Sequence, residues 1–307
     1  MIKNEAEEIR RVLRYHLEVQ DFDIIIVKDN NSYDNTFELI ESLNDPRIIL
    51  QSTAPAEGYN QEVSSTDMAF ELFNTHKCDW VFPIDADEYW HSPAYGTVRD
   101  ALTDLPVETD VVQTYQFDFR ETSLDNPDEK DYLIRMRFAL VNTWTNKIVM
   151  HNLGNRLKKV LFGNHFCLLE DGAQPKTIGA SHLALVRFHY PYVSFRETIR
   201  RILNQVEGFI IRTNGEWLKG ESGFGDHVFE FYSMIKNGTF KDYYKRNMFL
   251  TSDKVKRQLE DRSLTMREDM LSITLPPIEE EDEAELVKAK RRGKQALDRD
   301  RLWMDMV

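Results

Sequence analysis

Apolar residues recur at helical spacing from Glu5 to Gln20, where Ile9, Leu13, His16 and Leu17 fall on one face, and the period then changes. Ile24-Ile25-Ile26-Val27 is a continuous aliphatic run, the pattern of a strand covered on both faces. It ends in the polar turn formers Asp29-Asn30-Asn31-Ser32. Asp34 predicts a helix N-cap, with Phe37, Ile40 and Leu43 facing inward. A strand from Arg47 to Leu50, a helix from Glu62 to Thr75 and a strand from Trp80 to Ile84 follow. Alternation of this kind predicts a layered α/β domain with a largely parallel sheet. Its ligand crevice would lie at the carboxyl ends of the strands, where Asp29 and Asp85 both fall.

From Asp110 to about Val149 the pattern turns to strands with long polar insertions, Leu124 to Asp131 being one. After Pro191 the chain reads as helical. Ser194-Phe195-Arg196-Glu197 is a capping box, and Ile199, Ile202, Leu203, Val206 and Ile210 continue the apolar stripe. Glu279 to Arg301, acidic first and basic last, suits a solvated helix matched to its own dipole. Charge divides the chain at the same place. Residues 1–190 hold 18 basic and 31 acidic side chains, whereas residues 191–307 hold 21 of each. Two regions are expected, an α/β domain over 1–190 and a helical region over 191–307.

At 307 residues the chain is long enough to bury a substantial core. Its net charge of −13 repels phosphate backbones and argues against nucleic-acid binding. Cys78 and Cys167 are too few and too far apart for a disulfide framework or a zinc site, which fits a reducing compartment. No apolar run approaches the roughly 20 residues of a membrane span. The start lacks a basic-then-apolar export pattern, so a cytoplasmic location is expected.

The sharpest chemical feature is Val81-Phe82-Pro83-Ile84-Asp85-Ala86-Asp87-Glu88, an apolar strand running into three closely spaced acids. In an extended segment Asp85 and Asp87 project to the same side, so two hard oxygen ligands can converge on one divalent cation. A solvated acidic turn is the plainer alternative. Asp29, at the other crevice turn, suits capping of its own turn.

Taken in order, Lys3-Asn4-Glu5, then Asp29-Asn30-x-Ser32-x-Asp34-x-Thr36, then Asp85-x-Asp87-Glu88 resemble the nucleotide-sugar half of family 2-type glycosyltransferases with the GT-A fold, over about residues 1 to 95. Arg187-Phe188-His189-Tyr190-Pro191 with Ser194 is similar to a segment of the cytosolic subgroup of that family and carries the match to about residue 205. The resemblance implies a Rossmann-like, mostly parallel sheet flanked by helices. It also implies inverting transfer of a sugar from a nucleoside diphosphate sugar, UDP favoured over GDP, to a carbohydrate or glycoconjugate acceptor, assisted by Mn²⁺ or Mg²⁺. Asn4, Glu5, Asp29, Asn31, Ser32, Asp34, Asp85, Lys158 and His189 are the expected donor contacts.

Asp87 is expected to hold the metal, Asp85 to share that task with a ribose contact, and His165 or His189 to supply a third ligand. Glu88 and Asp118 are the candidate general bases, and Arg196, Arg200 and Arg201 lie early on the helix opened by Ser194, where anions bind. His182 and His189 are an odd number of residues apart, so in an extended segment only one faces the site.

Family members carry a full strand ahead of the Lys3-Asn4-Glu5 turn, where only Met1 and Ile2 stand here, so the sheet is expected to hold one strand fewer. Two other readings compete. A nucleotidyltransferase acting on a sugar phosphate would open with a Gly-rich phosphate loop, and Lys3 to Glu8 contains no glycine. A non-catalytic relative would bind a partner through the charge-balanced helical region.

Overall fold

The computed structural model describes residues 1–53, 60–104, 106, 108–142, 147–179, 185–212 and 226–267. The expected helix from Glu279 to Arg301, and His182, lie outside the described residues. The amphipathic start folds as α1 (Ile9–Arg14), continued by a π-helical turn over Tyr15–Val19. The aliphatic run becomes β1 (Ile25–Asp29), followed by α2 (Thr36–Ser42), β2 (Ile48–Ser52) and α3 (Gln61–Asn74). Next come β3 (Trp80–Val81), β4 (Glu88–His91) and α4 (Val98–Leu102). β3 is shorter than the sequence predicts. Pro83 has no N–H to give a ladder, and Phe82 to Ile84 run on without one.

The middle of the chain supplies β5 (Val111–Gln113), β6 (Tyr115–Arg120), the short α5 (Tyr132–Arg135), β7 (Phe138–Asn142) and β8 (Ile148–His151). A hairpin of β9 (Leu157–Val160) and β10 (Cys167–Leu169) leads to β11 (Thr177–Gly179) and β12 (Val186–Tyr192). Helices α6 (Phe195–Arg212), α7 (Asp226–Lys236), α8 (Phe240–Asn247) and α9 (Ser252–Glu260) make the last region mainly helical. β13 (Leu264–Met266) then returns to pair with β7, so this region also adds a strand to a sheet built by the first.

The architecture is α/β with helix-flanked, mixed sheets. β1 pairs with β2 in parallel. A four-stranded sheet runs β11-β5-β8-β3 and a five-stranded one β13-β7-β6-β12-β4. Among the described strand pairs, β1 with β2, β5 with β11 and β6 with β12 are parallel and the others antiparallel. Of the strands in the first 90 residues only β1 and β2 pair in parallel, while β3 and β4 run antiparallel to β8 and β12, and the other two parallel pairs join strands that follow Asp110.

Alternation along β5 and β8 covers that sheet on both faces. Val111, Ile148 and Met150 pack with Ala69 and Phe73 of α3, while Val112 and Val149 pack with Trp90 and Val98. Among the described residues no helix is long and apolar enough to cross a membrane.

Candidate functional site

The Asp29 turn and the Lys3–Ala6 turn lock together. Ser32 donates from its backbone N to Asp29 Oδ2 (3.0 Å) and from Oγ to Asp29 Oδ1 (2.5 Å). Ser32 Oγ, Thr36 Oγ1 and Asp34 Oδ2 in turn accept from the backbone N–H groups of Asn4, Glu5 and Ala6 at 2.8, 2.7 and 3.2 Å. Asn4 and Asn31 both take left-handed backbone conformations, which asparagine tolerates. Asn31 Nδ2 bonds Thr53 Oγ1 at 3.0 Å.

Of the two roles the sequence leaves open for Asp29, the structure shows turn capping, with both buried carboxylate oxygens engaged by Ser32. Ser32 and Asp34 are likewise engaged in holding the Lys3–Ala6 turn. The motif's first task is therefore architectural, fixing Asn4 and Glu5 at the mouth of the crevice.

The acid cluster follows β3. Glu88 N donates to Asp85 O (3.1 Å) and Asp85 N to Glu88 Oε2 (3.1 Å), which closes the Asp85–Glu88 turn. Among the described residues four basic side chains meet it, Arg187 at 3.4 Å from Glu88 Oε1 among them. Lys147 Nζ lies 2.5 Å from both Asp85 Oδ2 and Glu88 Oε2. Arg201 Nη1, from α6, lies 2.7 Å from Asp87 Oδ2. His189 Nε2, from β12, lies 3.5 Å from the same oxygen, and its Nδ1 is 2.7 Å from Asp118 Oδ1. The last contact follows from register, since His189 stands opposite Asp118 in the parallel β12–β6 pairing.

Charge and burial tune these groups. Burial would raise the pKa of Asp87, but Arg201 and His189 hold it well below the usual carboxylate range. Asp85 is lowered too, Lys147 outweighing the opposing effect of burial. Burial would lower the pKa of His189, but Asp87 and Asp118 raise it to about 9. Glu5 is pushed up to about 7 by burial, in spite of Arg201 and Arg200.

A histidine whose folded pKa of about 9 exceeds its ordinary 6.5 contributes stability that is complete below pH 6.5 and lost as pH rises through 9. Unfolding stability is therefore expected to fall by about 2–3 kcal/mol between pH 6.5 and 9. His189→Gln should remove most of that fall in urea titrations run at the two pH values. An unchanged fall in the variant would contradict the assignment.

Several expected roles change. Glu88 is 2% exposed, and its oxygens face Lys147 at 2.5 Å and Arg187 at 3.4 Å, so it anchors the turn and is not poised as a general base. Asp118 is buried, accepts from Gln116 and orients His189, which makes it a positioning residue. His165 sits on the β9–β10 turn, whose Phe162 and Gly163 amides bond Glu62 and Gln61 at the start of α3. It does not join Asp85 and Asp87. Among the described residues no group of three or more His, Cys, Asp or Glu could hold a metal ion.

Lys158 is exposed on β9, and the cations that reach the crevice acids come from elsewhere. Tyr89 and Trp90, placed beside the acids by sequence, are wholly buried in the core.

The helix opened by Ser194 delivers the cations its sequence promised. Arg200 donates to Asn4 O and lies 3.4 Å from Glu5 Oε2. Asn204 Oδ1 accepts from Asn4 Nδ2 at 2.8 Å. Arg196, one turn ahead of Arg200 on the same helix, is exposed. Lys147 had no sequence signal, being a lone lysine between Asn146 and an aliphatic strand.

The donor set suits a hard divalent ion at one place. Asp87 supplies a carboxylate, and His189 presents Nε2 to the same point while Asp118 holds its Nδ1, the outer-sphere arrangement common to metal-bound histidines. Asp87 and, in its neutral form, His189 are the described side chains that could share such an ion, and His165 does not join Asp85 and Asp87.

No family model and no curated protein matches this chain. Among solved structures, S. aureus TarS 1-349 in complex with UDP aligns at 15% identity over 69% of this chain and 68% of that one, with a TM-score of 0.34. Another S. aureus TarS structure aligns at 14% identity over 73% of this chain and 44% of that one, with a TM-score of 0.32. At TM-scores this low neither likeness weighs on what the site does.

Proposed function

We propose that this chain is a glycosyltransferase that takes a sugar from a nucleoside diphosphate sugar, UDP before GDP, and passes it with inversion to a carbohydrate or glycoconjugate acceptor. The observation that carries this reading is the meeting of Asp87 with His189 and Arg201 beside the Asn4–Glu5 turn. Breaking a glycosyl-phosphate bond leaves a diphosphate with growing negative charge, and preorganised cations stabilise such a leaving group.

Arg201 and Arg200 on α6, with Lys147 ahead of β8, supply fixed positive charge around the acid cluster. Asp87 and His189 would hold Mn²⁺ or Mg²⁺, which when bound supplies a Lewis acid to diphosphate oxygens. Asp118 fixes the tautomer and orientation of His189, and Glu88 with Lys147 holds the Asp85–Asp87 turn in place. Glu5 faces the donor from the turn that Ser32, Asp34 and Thr36 secure, while the buried Asn4 spends its side-chain amide on Asn204 and on the backbone N of Tyr33.

Calorimetric titration of UDP and of GDP, each with Mn²⁺ and with EDTA, tests the reading. UDP is expected to bind in the presence of Mn²⁺ and at least about tenfold more weakly in EDTA, a loss of about 1.4 kcal/mol. Failure of both nucleotides to bind under either condition would reject the donor site altogether.

A further inference from the structure

β6 carries one more charged side chain beyond Asp118. Asp118 and Arg120 are two residues apart on an extended strand, so they project to the same face roughly 7 Å from one another along it. On that face Asp118 meets His189 of β12, and Arg120 stands opposite Tyr192 of the same strand. The strand order β6-β12-β4 gives the row a direction. From β4 to β6 it reads Glu88, His189, Asp118 and then Arg120, which places Arg120 on the far side of His189 from the Asp85–Glu88 turn.

Arg120 differs from the other arginines of this region in what it meets. Arg187 is paired with Glu88, Arg200 with Glu5 and Glu197, and Arg201 with Asp87. The guanidinium carbon of Arg120 instead lies 5.0 Å from the centroid of the Tyr192 ring, and its hydrogen-bond partner is the Tyr192 hydroxyl. That hydroxyl is neutral at ordinary pH, since burial raises its pKa above the usual phenol value. The acids beside Arg120 in sequence are engaged elsewhere. Asp118 Oδ1 is taken by His189 and Gln116, and Glu121 Oε2 accepts from the Tyr244 hydroxyl at 2.7 Å. Arg120 Nε is buried without an acceptor, and among the described residues no carboxylate pairs with the guanidinium.

A half-buried guanidinium with no counter-charge from its own fold carries a desolvation cost that nothing nearby offsets. Stacking on Tyr192 fixes the plane of the fork, the preorganisation that bidentate capture of an oxyanion requires. Position says which anion. In the transferase reading the donor diphosphate lies with Asp87, Arg200 and Arg201, and inversion brings the acceptor to the face of the sugar opposite that leaving group. Beyond His189 this is the β6 side, where Arg120 stands.

Given the transferase reading, on which this rests, we propose that Arg120 binds an oxyanion carried by the acceptor, a phosphate or a carboxylate, and so selects an anionic carbohydrate over a neutral one. Tyr192 holds the guanidinium in the plane that serves this contact.

The test uses the full chain labelled isotopically at arginine nitrogen, in which comparison with Arg120→Gln identifies the Arg120 Nε–Hε resonance. It is titrated with glucose, glucose 6-phosphate and glucuronate, each with Mg²⁺ and UDP and again without UDP. At least one anionic sugar is expected to shift that resonance saturably and to bind at least about tenfold more tightly than glucose. A response to glucose 6-phosphate alone makes the group a phosphate, and a response to glucuronate alone makes it a carboxylate. Arg120→Lys keeps the charge and the stem but loses the fork, so it should bind the same sugar severalfold more weakly while still unfolding cooperatively on heating.

Anionic sugars that bind no better than glucose overturn the proposal. So does binding of equal strength to the parent, Arg120→Lys and Arg120→Gln. Calorimetry of UDP with the parent chain separates the two readings. If UDP fails to bind while the Arg120 resonance responds, the donor site is at fault; if UDP binds while the resonance stays silent, Arg120 is.

Discussion

Asp87→Ala is expected to weaken UDP binding in Mn²⁺ at least about tenfold and to bring it down to the level seen in EDTA. Asp87 contacts both Arg201 and His189, so its removal takes away the proposed metal ligand and releases both cations from their positions. The same change leaves the Arg201 guanidinium, only 11% exposed in its side chain, without its carboxylate. Breaking a buried pair by deleting one partner costs about 3–5 kcal/mol, because the remaining charge stays desolvated.

Urea unfolding of Asp87→Ala should show a loss of that order. Asp87→Asn keeps the shape and a hydrogen-bond acceptor for Arg201, and should recover part of the stability while remaining defective in metal-dependent binding. The His189 resonance offers a separate check, since the carboxylate that helps raise its pKa is gone and its titration should move down from about 9. A variant that folds and binds UDP with Mn²⁺ as the parent does would remove Asp87 from the site.

Lys147→Met should be comparably damaging to stability, again by about 3–5 kcal/mol. The Lys147 side chain is 3% exposed and is shared by Asp85 and Glu88, whose own side chains are 41% and 3% exposed. Methionine matches the length of the stem but leaves Glu88 buried with Arg187 as its remaining counter-charge at 3.4 Å. Asp85, better exposed, can turn to water, so most of the cost falls on Glu88.

Adding Glu88→Gln to Lys147→Met should therefore restore a substantial share of the stability, which a double-mutant cycle in urea would measure. Strict additivity of the two changes would show that the pair is not coupled. A pH series gives a second check. Without Lys147 the pKa of Asp85 should rise, because that lysine is the largest influence opposing its burial.

How far the sequence reaches depends on the range of the interactions. Periodicity placed α1, β1, α2, β2 and α3 within a residue or two of where they fold, except that the helix predicted from Glu5 begins at Ile9, because each depends on neighbours one turn or two residues away. The buried His16 on the face shared with Ile9 and Leu13 was legible for the same reason. It accepts from Trp90 N through Nε2 and bonds Val12 O through Nδ1, a packed histidine with both nitrogens satisfied. Arg200 and Arg201 could be placed near the crevice because they follow a capping box that starts a helix there.

The ligand partners of the acids were not legible in that way. Choosing His189 over His165 requires the β12–β6 register, which a list of histidines does not contain. Lys147 reaches Asp85 and Glu88 across about sixty positions of chain, with no motif to announce it. Asp29 and Glu88 look alike in sequence as acids next to a strand end. Only the folded turn shows Asp29 bound to Ser32, and only the core shows Glu88 enclosed by Lys147 and Arg187.

By itself the sequence determined the alternation of helix and strand, the two acidic turns at strand ends and the cation-bearing helix after Pro191, since these rest on local spacing and capping. The tertiary structure alone decided which oxygen meets which cation and which acids remain available to a ligand. Those outcomes turn on register and on packing between segments distant in the chain, where a shift of one residue exchanges the two faces of a strand.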